Sequence, residues 1–124
     1  MTVKDFSYQF KMIAGRCKST RNTTDNHRKI HDLDFGPEYL KEVWDKQNGI
    51  CPITGWKLKL KTYKCRKTSL VPQHASVDRI DNDKGYIKGN IRFISVMCNY
   101  ALNKQFTDQQ LLELASAIYV NTYT

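Results

Sequence analysis

Asp78, Asp81 and Asp83 lie within six positions of one another in a chain whose formal charge is +8. A carboxylate framed by cations suits one chemistry in particular. A hard divalent ion takes oxygen ligands, and the surrounding cations hold the anion on which it acts. If a strand ends near Asp78 and the helix that follows packs back across it, the Asp78 carboxylate and the Asn99 carbonyl converge on one such ion, leaving its other positions to water and a phosphate oxygen. Asn103, one helical turn beyond Asn99, is a secondary candidate for the same site. Asp81 and Asp83 read as turn residues that bond their own backbone, with Asp81 also placed to accept from a metal-bound water. Arg79, Lys84, Lys88, Arg92 and Lys104 form the cationic frame for a polyanion, setting position and affinity without reading bases.

Those residues require a hairpin and a helix. Residues 75–80 (ASVDRI) read as a strand, 81–89 as a long turn supplied by Asp83, Gly85 and Gly89, and 90–94 as the returning strand. Ser95 is the N-cap of a helix over about 96–105. Thr107 and Gln110 make a capping box for the last helix, Phe106 and Leu111 are spaced for a hydrophobic staple, and Leu111, Leu114, Ala115 and Ile118 form a stripe expected to be buried. Upstream, Phe6, Phe10, Ile13 and Ala14 recur at helical spacing. Pro37 opens a second helix running to about Gln47, with Tyr39, Leu40, Val43 and Trp44 as its apolar stripe and Asn48-Gly49 as its stop.

Between them, residues 57–67 (KLKLKTYKCRK) carry six basic residues and no acid: Lys57, Lys59, Lys61, Lys64, Arg66 and Lys67. Two accounts fit. The lysines are the solvated face of a short ribbon, guarding it against edge-to-edge pairing, or they contact phosphates directly.

The chain of 124 residues is one domain's worth. Apolar residues make up 40% and charged residues 26%, which excludes a disordered tail. No apolar run approaches the length of a membrane span, and MTVKDFSYQF lacks the apolar block of a signal peptide, so the expected partners do not include a membrane and the expected compartment is the cytoplasm. Lys and Arg outnumber Asp and Glu by 20 to 12, which favours an anionic partner. Cys17, Cys51, Cys65 and Cys98 form no Cys-x-x-Cys pair, so reduced, partly buried thiols are expected in that compartment.

The run from Asp78 to Lys104 resembles the His-Asn-His (HNH) nuclease motif, a hairpin and helix around one metal ion. LKEVWDKQNGICPITG, SVDRIDNDKGYIKGNIRF, NYALNK and FTDQQLLELASAIY together are similar to a bacterial and phage branch of that family, across roughly residues 37–120. The resemblance implies an α+β fold: a small HNH-like domain, its β-hairpin and metal-site helix flanked by additional helices, within one domain 1–124. Residues 1–36 are then a helical, basic extension and 37–120 the nuclease core with its C-terminal helix. Carried over residue by residue, Asp78 falls on the metal-binding Asp, Asn90 on the Asn that structures the loop, Asn99 on the helix ligand and Lys104 on a basic residue one turn later.

The implied activity is hydrolysis of DNA by an endonuclease using one Mg²⁺ or Mn²⁺, as a monomer or homodimer, leaving a 5′-phosphate and a 3′-hydroxyl, in a bacterial host if the chain is phage-encoded. Two positions depart from the pattern. Thr54 and Ser95 stand where partners of Cys51 and Cys98 would complete a structural zinc site, so no structural zinc is expected. Arg79 stands where the general base would be; a guanidinium cannot accept the proton but can grip a phosphate. His74, four residues before Asp78, and His27 and His31 in the N-terminal region are the histidines available as a replacement base. The alternative is a catalytically inactive HNH-like DNA-binding module.

Overall fold

The structure is a computed structural model that describes residues 10–15, 35–60 and 71–124. Within these, residues 10–15 are helical, and the elements that follow are α1 (Pro37–Lys46), β1 (Ala75–Arg79), β2 (Ile91–Ser95), α2 (Val96–Leu102) and α3 (Asp108–Tyr123). This is an α+β arrangement in which a two-stranded antiparallel hairpin packs against helices, with β1, β2 and α2 in ββα order. Phe6, Cys17, His27, His31, Lys61, Lys64, Cys65, Arg66 and Lys67 lie outside the described residues.

α1 begins at Pro37, where the missing N–H costs no intrahelical bond. It ends where Asn48 and Gly49 take left-handed φ values of 54° and 65°. A Cβ at Gly49 would come within 3.0 Å of the Trp44 ring, so both backbone and packing require glycine there. Gln47, the last residue before this turn, fixes the helix to the sheet. Its Oε1 accepts from the Phe93 N–H and its Nε2 donates to the Phe93 carbonyl, both at 2.8 Å, with a further bond to the Ile50 carbonyl at 3.1 Å.

The register pairs Ala75 with Ser95, Val77 with Phe93 and Asp78 with Arg92. Opposed residues share a face and successive ones alternate, so Val77, Ile91 and Phe93 point one way and Ser76, Asp78, Arg92 and Ile94 the other. Phe93 is fully buried, edge-on to Trp44 at 5.2 Å and to Phe10 at 6.1 Å. This aromatic cluster, with Leu40 beside it, centres the core on the α1 side. α2 returns over the second face, where Asn99 Nδ2 donates to Ser76 Oγ at 2.6 Å.

The alternation read in residues 57–60 is present: Leu58 and Leu60 are buried, Lys57 and Lys59 exposed. Lys59 bridges to His74, with the Lys59 N–H donating to the Gln73 carbonyl and the Ala75 N–H to the Lys59 carbonyl, so the segment runs beside the start of β1.

Three expectations need correction. The strands occupy 75–79 and 91–95, one residue off the limits read from sequence. α2 stops at Leu102, not near 105, because Asn103 and Lys104 take left-handed φ values of 47° and 60°. The stripe Leu111, Leu114, Ala115, Ile118 is not buried. α3 meets α2, but no residue of α3 is buried, and among the described residues nothing covers its outer length. The capping box that starts α3 has both its bonds, Gln110 N–H to Thr107 Oγ1 and Thr107 N–H to Gln110 Oε1. Phe106 stays more than half exposed.

Candidate functional site

The loop between the strands is organised from inside by two side chains. Asn90, buried, accepts the Asp81 N–H on Oδ1 at 2.8 Å and donates Nδ2 to the carbonyls of Asp81 (3.0 Å) and Gly85 (2.8 Å). Arg79, only 4% exposed, donates Nη1 to the carbonyls of Asn82 and Lys84, each at 3.2 Å, and its guanidinium lies 5.4 Å from the centre of the Tyr86 ring. Asp81 Oδ1 accepts the Asp83 N–H at 2.9 Å, an Asx turn. Tyr39 reaches from α1 to accept the Gly89 N–H on its hydroxyl at 2.8 Å, and the Lys88 ammonium lies 5.8 Å from the centre of the same ring. The loop is thus pinned at seven main-chain groups without a regular element of its own.

At this end of the hairpin Asp78, Arg79, Asn82, Arg92, Lys104 and Asp108 border a cavity of about 250 Å³. Asp78 and Arg79 leave opposite faces of β1, and they meet one space only because the strand ends there. Arg92 joins two carboxylates. Its Nε donates to Asp78 Oδ2 at 2.8 Å, while Nη1 and Nη2 grip Asp108 Oδ2 and Oδ1 at 2.7 and 2.9 Å. Asp108 and then Asp78 hold the guanidinium more firmly protonated than usual, against the opposing effect of burial, and Arg92 in turn holds Asp108 below the ordinary carboxylate range. Asp78 is 13% exposed at its side chain.

The left-handed turn after α2 brings Lys104 to the cavity. The Asn103 N–H closes on the Asn99 carbonyl at 3.0 Å, and the Lys104 carbonyl accepts from Asn82 Nδ2 at 3.3 Å, tying the turn to the hairpin loop. Asn103 serves as the C-cap of α2 and is exposed. Lys84 and Lys88 of the loop are exposed, as are Lys57 and Lys59, the latter beside the start of β1 at the other end of the hairpin.

Asn99 meets the face of β1 that carries Asp78, its amide anchored on Ser76, two residues before Asp78, but it does not border the cavity. The donor chemistry fits a hard divalent ion in kind: the Asp78 carboxylate, and the amide oxygen of Asn99 at the end turned away from Ser76. In number it falls short of a full shell, and among the described residues no group of three or more His, Cys, Asp or Glu is placed to hold a metal.

His74 is buried at the start of β1 and does not border the cavity. Its Nδ1 accepts the Val71 N–H at 3.1 Å, so the neutral ring carries its proton on Nε2. Cys51 and Cys98 are free, buried thiols beside Thr54 and Ser95. Burial pushes Cys98 up, and the neighbouring Cys51 adds to this. At Cys51 burial also raises, but hydrogen bonding to Thr54 and nearby main chain outweighs it and leaves the thiol lowered.

Comparison of the chain with protein-family models, with curated proteins and with solved structures finds no match to any of them. Sequence reading gives Asp108 no role. The signal lay in the register: once Asp78 opposes Arg92, the guanidinium has a second side to satisfy. No helix among the described residues is long and apolar enough to cross a membrane.

Proposed function

We propose that this protein is a metal-dependent endonuclease that hydrolyses phosphodiester bonds in DNA, on an HNH-like hairpin and helix. The observation that carries the proposal is the cavity at the loop end of the hairpin, where two carboxylates and three cations border one space. A purely anionic ligand would be repelled by Asp78 and Asp108, and a purely cationic one by Arg79, Arg92 and Lys104. A phosphate accompanied by a divalent ion satisfies both sets.

Asp78 and Asn99 would hold the ion. When bound, Mg²⁺ or Mn²⁺ supplies charge stabilisation at the phosphate and the leaving 3′-oxygen. The chain's own residues do the rest. Lys104 and Arg92 position the phosphate, and the planar fork of Arg92 fits a phosphate as well as the carboxylates it now grips, so substrate arrival exchanges one anion for another. Arg79 adds positive potential from beneath while holding the loop, and Asn90 keeps the strand end in place. Lys57, Lys59, Lys84 and Lys88, with Lys61, Lys64, Arg66 and Lys67 of the same basic run, extend the path of the DNA backbone.

A DNA-binding module without catalysis is the second reading. It is favoured by the Asp78–Arg92 ion pair, which engages the carboxylate, and by the lack of a histidine among the described residues around the cavity. Supercoiled plasmid incubated with the protein and Mg²⁺ or Mn²⁺, with EDTA and Asp78→Ala controls, separates the two. The expected result is nicking that needs metal, disappears in Asp78→Ala and slows by about 10² to 10³ in Lys104→Ala, the scale of one lost charge-stabilising donor. Plasmid that is retarded on a gel yet never nicked would establish the binding module instead.

A further inference from the structure

α3 is built unlike the rest of the molecule. Leu111, Leu114, Ala115 and Ile118 follow one line along it, and Leu112, Tyr119 and Tyr123 a second line about 100° further round. A helix apolar over so much of its circumference is one with neighbours on more than one side. Yet Leu112, Leu114, Ile118, Tyr119, Val120 and Tyr123 are each more than half exposed, and Tyr123 is 72% exposed. The first line borders a groove of about 580 Å³, closed on its other sides by Met97 and Ala101 of α2 and by the Pro52–Trp56 turn.

Charge narrows the choice of occupant. α3 has no Lys or Arg, and no charged residue follows Glu113, in a chain whose net charge is +8. A nucleic acid or a phospholipid headgroup would be met by cations, and here there are none. Two copies of this chain repel one another at long range, and the length of α3 beyond Glu113 adds no charge to that repulsion. Area points the same way. Five side chains on these two adjoining lines, Leu112, Leu114, Ile118, Tyr119 and Tyr123, with roughly 100 Å² or more exposed on each, together with the groove wall, approach the ~800 Å² per partner of a standard interface. Tyr119 and Tyr123, their rings 4.8 Å apart, are rigid anchors suited to the centre of such a surface.

We propose that α3 is a dimerisation element, packing against α3 of a second copy about a two-fold axis so that each helix covers the other's groove. In such an interface the same patch serves both partners, which a groove walled by its own apolar helix satisfies. The proposal stands on the surface alone and does not depend on nuclease activity.

Sedimentation equilibrium of the whole chain tests it. A mass twice that of one chain is expected, dissociating on dilution, with Ile118→Glu and Tyr119→Glu each weakening association at least about tenfold. Both positions are exposed, so circular dichroism of the variants should match the parent. The parent's melting temperature should also rise with protein concentration, which needs no variant. A single-chain mass up to about 200 µM, a concentration that would reveal even weak dimers, overturns the proposal. So does a dimer indifferent to both substitutions, or a monomer that cosediments with phosphatidylcholine vesicles through Ile118.

Discussion

The loop end of the hairpin and the far length of α3 lie in one small protein and are held by opposite means. In the loop, polar side chains reach inward: Asn90 and Arg79 between them engage five main-chain groups, and Arg92 ties two carboxylates together. In α3 the main chain satisfies itself, while apolar side chains reach outward. A loop without regular hydrogen bonding must borrow partners from side chains, and those partners then cannot be removed without leaving buried groups unmet. A helix needs no such help, so its side chains are released for another use.

Substitutions should therefore separate the two regions sharply. The largest effect is expected at Asn90. Asn90→Ala removes three hydrogen bonds around a buried position and should cost about 3 kcal/mol in chemical denaturation. Arg92→Met comes next, at about 2 kcal/mol, because it leaves the shielded Asp78 carboxylate without its cation. Asp108→Asn should cost less than about 1 kcal/mol, since Asp108 is 49% exposed.

Its pH dependence is more telling. Arg92 lowers Asp108 in the folded state, so the contribution is fully present above about pH 3.9, the unfolded value, and is lost as pH falls through the lower folded value. Asp108→Asn should flatten that part of an acid-unfolding profile. The smallest effect is expected from Leu112→Ala or Tyr123→Ala, measured at protein concentrations low enough for single chains: a change within about 0.5 kcal/mol. A cost of several kcal/mol there would mean that α3 is covered within its own chain, and the contrast between the regions would fail.

Local signals were legible in the sequence. The Thr107–Gln110 capping box, the Ser95 cap, the Asn48-Gly49 stop and the Asp81 turn each depend on residues a few positions apart, and each is present with its hydrogen bonds or its left-handed backbone. What sequence could not supply was the partner across the fold. Arg92 reads as one more surface cation until the register opposes it to Asp78 and α3 brings Asp108 to its other side. The stripe on α3 reads as core because periodicity reports that a face is apolar, not that the same chain covers it. Lys104 looked like a helical residue because Asn103, without a following glycine, is a weak stop signal and nothing marks Lys104 as left-handed. Ser76, which anchors the Asn99 amide, carries no signal of its own.

Gln47 has a consequence for how the protein behaves in crowded solution. A sheet of two strands has two open sides, and each offers unpaired amides and carbonyls as a template on which a foreign strand can grow. On the β2 side, the N–H and C=O of Phe93 are both taken by one carboxamide, which mimics a peptide unit of a third strand and stops there. A strand one residue long cannot be extended. The hairpin is closed to addition at its most apolar point by the C-cap side chain of α1, so the residue just before the helix stop also protects against aggregation.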